Sequence, residues 1–460
     1  MIDPASFRDP CGFIVHEGNS VLRVINKMYE KEYSHLTKSG LSEILIKKDL
    51  MISYQEITTD KKYSVSQYKV VEAKKIQFIS YPHEWCFSQL KDAALLTLKI
   101  DEIAVEYNMM LKDATAYNVQ FDCGKAIFID TLSFDLVEQN YEWKAYKQFC
   151  EFFLVPLCLM IYKDPRLSIL LKDFINGIPL DLGVKLIPVR FLLKPSVFLH
   201  LFLQNKLQKS KAINNKINSK NIISKQQHKL LIAYLKYFIE SMTLPKNHTE
   251  WDKYYSDFKE VNMIYLTFKE KLVEEFVRQL SPKIIWDIGA NDGHFSRIAS
   301  KYSTQVISID KDWRSTEYNY NECKRNNIDN IYPIISDLVN QDGGFGWNNE
   351  ERKPLFSRLK KPDLIIALAL MHHIINENVP INKFLDLLRF SSEYVILEYI
   401  PKTDPNVVSM IKTRGLSWNY IEESEFQKLV ISKFEILKTT PIGASNRSLY
   451  LLKVKQYIIK

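Results

Sequence analysis

The feature that most constrains this chain is the stretch from residue 283 to 296, Lys-Ile-Ile-Trp-Asp-Ile-Gly-Ala-Asn-Asp-Gly-His-Phe-Ser. Ile284 to Ile288 is an apolar run of strand length, Gly289 to Gly293 follows as a loop, and Phe295, Ile298 and Ala299 then recur at helical spacing. A strand, a glycine loop and a helix in that order predict a parallel α/β sheet with a ligand edge. Glycine is needed there where the turn is tight and where backbone approaches a ligand without a Cβ. The spacing Asp-x-Gly-x-x-x-Gly departs from the Gly-x-Gly-x-x-Gly of dinucleotide loops. A ligand without a pyrophosphate against the helix start suits it better. Glycine turns also join strand to helix in domains that bind nothing, so the loop alone does not settle function.

The next segments strengthen the reading. Val306 to Ile309 is a second apolar strand ending on Asp310, an acidic position expected to accept from ribose hydroxyls. Ile331 to Ile335 is a third, followed by Ser336-Asp337-Leu338, where Asp337 can accept from an adenine amino group. Asp363 to Leu370 is a fourth and delivers Met371-His372-His373 at its C-terminal end. Open α/β sheets carry their sites at that end. Tyr394 to Leu397 with Glu398 is a fifth strand, and Ile436 to Lys438 with Leu449 to Val454 predict a closing antiparallel hairpin.

Residues 283 to 373 resemble class I S-adenosylmethionine-dependent methyltransferases, through the Asp-Ile-Gly-Ala-Asn-Asp-Gly loop, the acidic end of the second strand and Leu-Ala-Leu-Met-His-His. A narrower resemblance, to bacterial methyltransferases related to the nodulation protein NoeA, rests on Ser80 to Trp85, Leu111 to Asn118, Phe128 to Phe134 and Ala367 to His373. The resemblance implies a Rossmann-like domain, a mostly parallel sheet with an antiparallel last strand. It also implies S-adenosylmethionine as cofactor, held by Asp287, Gly289, Ala290, Asn291, Gly293, Asp310, Lys311, Asp337, Leu338 and Ala367. Methyl transfer from a sulfonium is an in-line displacement, so few catalytic groups are needed beyond a base for the acceptor proton. His372, His373 and Glu398 are the candidates. No Asn/Asp-Pro-Pro-Tyr follows the fourth strand, which speaks against methylation of base amino groups or glutamine amides. The expected acceptor is an oxygen on a small molecule, glycan or glycan phosphate.

The N-terminal half reads differently. Gly12 to Ile25 predicts a β-hairpin, Lys27 to Lys48 a helix broken near Gly40, Ile76 to Ile79 a strand, and Phe87 to Tyr107 a long buried helix. Asp113, Asn118 and Asp130, with a hairpin between the last two, have the order and spacing of phosphoryl-transfer groups in kinase-like folds. The resemblance is to aminoglycoside-phosphotransferase-like kinases, an α+β fold, and it is degenerate. Leu111 stands where His is usual, Thr131-Leu132 replaces Phe-Gly, no glycine loop over phosphates is evident, and only Arg23 can replace the strand lysine. Asp113 and Asn118 can equally serve as turn caps. A phosphotransferase in this half and a non-catalytic binding protein are the rival readings.

With 460 residues, two or three domains are expected: a kinase-like domain at 1–202, a basic polar linker at 203–229, and a methyltransferase domain at 230–460. The six cysteines are scattered with no Cys-x-x-Cys, which argues against structural zinc and a disulfide framework and fits the cytoplasm. No metal site is evident, since His372 and His373 lack a third ligand. No uncharged apolar stretch reaches the ~18 residues of a membrane span. The net charge of +8 does not imply nucleic-acid binding. The expected partner is a small-molecule or glycan substrate; oligomeric state is not legible.

Overall fold

The computed structural model describes residues 2–137, 140–206, 222–245, 254–414, 420–443 and 445–455. They form two compact units: Met1–Lys246 with Gly343–Arg358, and Asn247–Asp342 with Leu359–Lys460.

Unit 1 begins with the antiparallel strands β1 (Gly12–Glu17), β2 (Ser20–Asn26), β3 (Tyr54–Glu56) and β4 (Gln67–Ala73), in the order β1-β2-β4-β3. Alternate residues face two sides, as a strand's period of two requires. Ile25 and Val71 pack with Tyr29, Tyr33 and Leu132, while Leu22, Val24 and Val70 pack with Val15. Gly40 (φ 84°) separates helices Glu30–Lys38 and Leu41–Lys47, as its place in the sequence suggested. The expected strand at Ile76 to Ile79 is absent: the chain there runs without ladder partners to Pro82. Helix Phe87–Glu106 follows and is buried along most of its length. Then come β5 (Met109–Leu111), β6 (Val119–Asp122), β7 (Lys125–Phe128), β8 (Phe134–Leu136) and β9 (Asn140–Glu142).

The domain boundary differs from the expected one. Of the linker predicted at 203–229, residues 207–221 lie outside the described residues, but β10 (Ile222–Ser224) pairs antiparallel with β9. Helix Lys225–Ser241 then buries His228 against Asp101 at 3.0 Å. Those contacts make 222–245 part of unit 1. The insertion at 343–358 also belongs to unit 1. There Arg8 forks onto Glu351, with Nε to Oε1 and Nη2 to Oε2 both at 2.7 Å. The Arg358 guanidinium lies 3.9 Å from the Tyr81 ring centroid and pairs with Glu84.

Unit 2 is a seven-stranded sheet flanked by helices. Its strands are β11 (Ile284–Ile288), β12 (Gln305–Asp310), β13 (Ile331–Ile335), β14 (Leu364–Ala367), β15 (Tyr394–Tyr399), β16 (Phe434–Pro441) and β17 (Ser448–Val454), ordered β13-β12-β11-β14-β15-β17-β16. β11 to β15 run parallel, and β17 runs antiparallel to β15 and β16. Burial on both faces explains the unbroken apolar runs that mark β11 and β14 in the sequence. A single long helix, Tyr254–Leu280, precedes β11. Its Val273, Phe276 and Val277 pack on Ile285, Val306, Leu364, Ile366 and Leu451. Each such side chain contributes about 1.5–3 kcal/mol by leaving water.

Candidate functional site

The loop after β11 is tied to the end of β12. The N–H groups of Gly289 and Ala290 donate to the Ile309 carbonyl at 2.9 and 3.1 Å. Asn291 (φ 50°) turns its N–H onto Asp310 Oδ2 at 2.7 Å. Gly289 has φ 72°, and an added Cβ would come 2.9 Å from Leu370 Cδ1. Gly293 (φ 75°) leaves still less room, since a Cβ would fall 2.0 Å from Asn319 Oδ1. Asn319 cannot swing aside freely: its Nδ2 donates to Ser308 Oγ at 2.8 Å, and it is buried.

Asp310 ends β12 and has a second amide partner, Asp312 N–H, at 2.8 Å to Oδ1. Burial pushes its pKa up to about 6, against the lowering effect of those two amides. Each carboxylate oxygen retains a further lone pair. Asp287 is buried beneath the loop and accepts from the Ser296 hydroxyl at 2.5 Å. Burial pushes it up to about 7 despite that bond, and the charge of Asp310 adds to the rise.

At the C-terminal ends of β11 to β14 lies an open cleft. Its walls include the expected Gly289, Asn291, Asp310, Lys311, Asp337, Leu338 and His373. Asp287, Ala290, Gly293 and Ala367 are placed behind or beside it, in the strands and turns that set the loop's path. Ile309, Ser336, Val339, Leu368, Ala369, Leu370, Ile374 and Glu377 complete the lining. Apolar residues at strand ends carry no sequence signal that separates a cleft wall from core.

The two histidines are not on a strand. β14 stops at Ala367, Ala369 takes φ 48°, and His372 and His373 open the helix Met371–Asn376 with ring centroids 3.9 Å apart. The alternation of strand faces therefore does not decide which one meets a ligand. Position does: His373 lines the cleft, whereas His372 is buried and lines a separate small cavity with Val407, Met410 and Tyr420. Burial holds the His372 imidazole well below its usual pKa, with the charges of His373, Arg447 and Lys269 acting the same way. It is neutral at ordinary pH.

Glu398 is fully buried at the heart of a charge network. It pairs with Lys269 at 2.6 Å and Arg447 at 3.2 Å, and accepts from Tyr265 at 2.5 Å. Burial alone would raise its pKa, but the charges of Lys269 and Arg447 outweigh it and hold Glu398 at about 2. Its Oε2 also accepts from Ala369 N–H at 2.9 Å, which fixes the left-handed turn between β14 and the histidines. Lys269, Tyr265 and Arg447 were not singled out in the sequence. They lie far from Glu398 along the chain, and a lone lysine in an amphipathic helix reads as a solvated residue.

Fold and cleft together show which class the chain resembles. The order 3-2-1-4-5-7-6 counted within unit 2, with the antiparallel seventh strand and the acidic end of the second facing the cleft, is that of class I methyltransferases, whose cofactor is S-adenosylmethionine. Over nearly its whole length the chain is similar to nodulation protein NoeA of Rhizobium meliloti (strain 1021), 28% identical over 453 residues covering 97% of this chain and 94% of that one. No family model matches. Among solved structures it is similar to N-methyltransferase NodS from Bradyrhizobium japonicum WM9, with 12% identity, 41% of this chain, 98% of that chain and TM-score 0.30. It is also similar to WbdD bound to a kinase inhibitor, with 20% identity, 40% of each chain and TM-score 0.30. Likeness at those TM-scores carries no functional argument.

In unit 1 the four residues of the kinase-like reading converge. Arg23 pairs with Asp130, Ser133 Oγ donates to Asp130 Oδ2, and Asn118 Nδ2 donates to Ser133 Oγ at 2.9 Å. Asp113 Oδ1 accepts from Thr115 N–H at 3.1 Å. Burial raises the Asp113 pKa and the charge of Asp130 raises it further.

Proposed function

We propose that this chain is an S-adenosylmethionine-dependent methyltransferase that methylates an oxygen of a small molecule, glycan or glycan phosphate. The observation that carries the reading is Asp310, held at the end of β12 by two loop amides with part of its surface open on the cleft. Asp310 would hold the ribose hydroxyls, Gly289 and Asn291 would lie beside the methionine moiety, and Asp337 with Leu338 would meet the adenine. Gly289 fits that role because a side chain there would crowd Leu370, which lines the cleft beside it. When bound, the cofactor supplies an electrophilic methyl group. His373, on the cleft wall, takes the acceptor's proton at an imidazole nitrogen. Glu398 acts as a positioning residue by pinning the Ala369 turn. Calorimetric titration with S-adenosylhomocysteine tests the site, and methyl incorporation from labelled cofactor into hydroxyl-bearing acceptors tests the reaction.

The convergence of Arg23, Asp113, Asn118 and Asp130 favours a second reading, a phosphotransferase in unit 1. Against it, Arg23 and the Ser133 hydroxyl already occupy the Asp130 carboxylate that a magnesium ion would need. The retained arrangement is better read as a scaffold. Thermal melting of the full chain with ATP and magnesium distinguishes the two.

A further inference from the structure

From Leu182 to Ile239 the sequence holds no Asp or Glu, yet it carries 11 Lys and Arg over those 58 positions; of the described ones Lys185, Lys229 and Lys236 pair with Asp181, Glu106 and Glu102 outside the stretch. The described part of this stretch, in unit 1, also turns apolar side chains to solvent. Val189 is 76% exposed and Leu193 77%, with Phe198 and Leu199 also exposed beside them. Arg190 and Lys194 alternate with these residues. Among the described residues neither faces a carboxylate; instead Arg190 lies 4.7 Å from the Phe191 ring centroid and Lys194 lies 4.9 Å from that of Tyr162. The surface continues onto the helix Lys225–Ser241, because Ser196 Oγ meets Tyr234 OH at 2.9 Å and the His200 and Tyr234 rings lie 5.4 Å apart. Leu230 and Tyr237 share the Tyr234 face of that helix and are 65% and 72% exposed.

Aliphatic side chains left in water forfeit their burial, and free cations set among them favour an anionic surroundings. A bilayer surface with anionic headgroups satisfies both, since the aliphatics reach the acyl boundary while Arg190 and Lys194 stay at phosphate level. Nucleic acid would satisfy the cations and could stack on Phe198 and Tyr237, but it would leave Val189, Leu193, Leu199 and Leu230 in water. We infer that this face of unit 1 docks on an anionic lipid surface. The inference does not rest on the reading of unit 2.

Flotation of the full chain with vesicles of phosphatidylglycerol and phosphatidylcholine, against phosphatidylcholine alone, tests it. Binding is expected only to the anionic vesicles and to weaken with salt. The double variant R190Q/K194Q should weaken it by about fivefold per charge removed. L193S/L199S, which exchanges exposed residues and leaves the melting curve intact, should abolish it at physiological salt. A tryptophan at Leu193→Trp should shift its emission to the blue when vesicles are added. No flotation at low salt overturns the inference, as does flotation unaffected by both double variants. So does tight binding of a poly-uridine oligomer without vesicle binding, or concentration-dependent self-association that L193S/L199S removes while vesicles have no effect.

Discussion

Replacing Asp310 probes the cofactor reading at a single carboxylate. Its two oxygens accept amide protons from Asn291 at 2.7 Å and Asp312 at 2.8 Å, and the cleft is open beside them. A hydrogen bond to a charged group contributes roughly 1.5–3 kcal/mol. Losing the ribose partner in Asp310→Ala should therefore weaken S-adenosylhomocysteine binding by about 10- to 150-fold. The two amides released by the change border the cleft and can be rehydrated, so the fold should survive. pH supplies an independent check. Because burial lifts Asp310 to about 6, the wild-type site should lose affinity as pH falls through that value, by at most about tenfold per unit for one proton. Asp287 titrates nearby at about 7, so the difference between wild-type and Asp310→Ala profiles isolates Asp310. Calorimetry from pH 8 down to about 5 reads both effects. Affinity in Asp310→Ala within twofold of wild type, with an unchanged pH profile, would refute the ribose assignment.

Four further outcomes follow from the same geometry. Gly293→Ala places a Cβ 2.0 Å from the Asn319 amide and should destabilise unit 2 by roughly 2–4 kcal/mol, read by denaturant unfolding; a loss below about 0.5 kcal/mol would mean that Asn319 yields. Glu398→Ala strands Lys269 in the interior, while Arg447 keeps Asp404, and should cost about 3–5 kcal/mol. Since Glu398 is held at about 2, its stabilisation is present above the ordinary carboxylate range and is lost as pH falls through that value, which acid unfolding of wild type against variant will show. His373→Ala should lower turnover about 10²- to 10⁴-fold while S-adenosylhomocysteine affinity stays within a few-fold, and equal losses in both would make His373 a binding residue only. ATP with magnesium should leave the melting temperature of the full chain unchanged, and a shift of several degrees that Asp130→Asn removes would instead establish the phosphotransferase reading.

Much of unit 2 was legible because its signals are local. Five-residue apolar runs, glycines at a left-handed turn and an aspartate at a strand end are written in consecutive residues, and β11, β12 and β13 lie where those residues indicated. The misread parts depend on contacts far apart in sequence. The helical start of His372 and His373 follows from the early end of β14 at Ala367 and the turn pinned by Glu398, a residue near neither in the chain. The insertion at 343–358 is polar in sequence, and only its partners Arg8, Glu84 and Tyr81 reveal that it belongs to unit 1. Residues 222–245 read as linker and domain start until β10 is seen paired with β9. In unit 1 the spacing of Asp113, Asn118 and Asp130 foretold their meeting, but not that Arg23 would close on Asp130.

The most direct test of the central claim is calorimetric titration of the wild-type chain with S-adenosylhomocysteine near pH 7.5, paired with its melting curve. Saturable binding at one site per chain is expected, with a melting shift of several degrees at about 100 times the dissociation constant. Gly289→Val should abolish both signals while the variant stays folded, because a branched side chain there would crowd Leu370 and take up space in the cleft that both residues line. No heat and no shift in the folded wild-type protein, or full binding in Gly289→Val, would contradict the account.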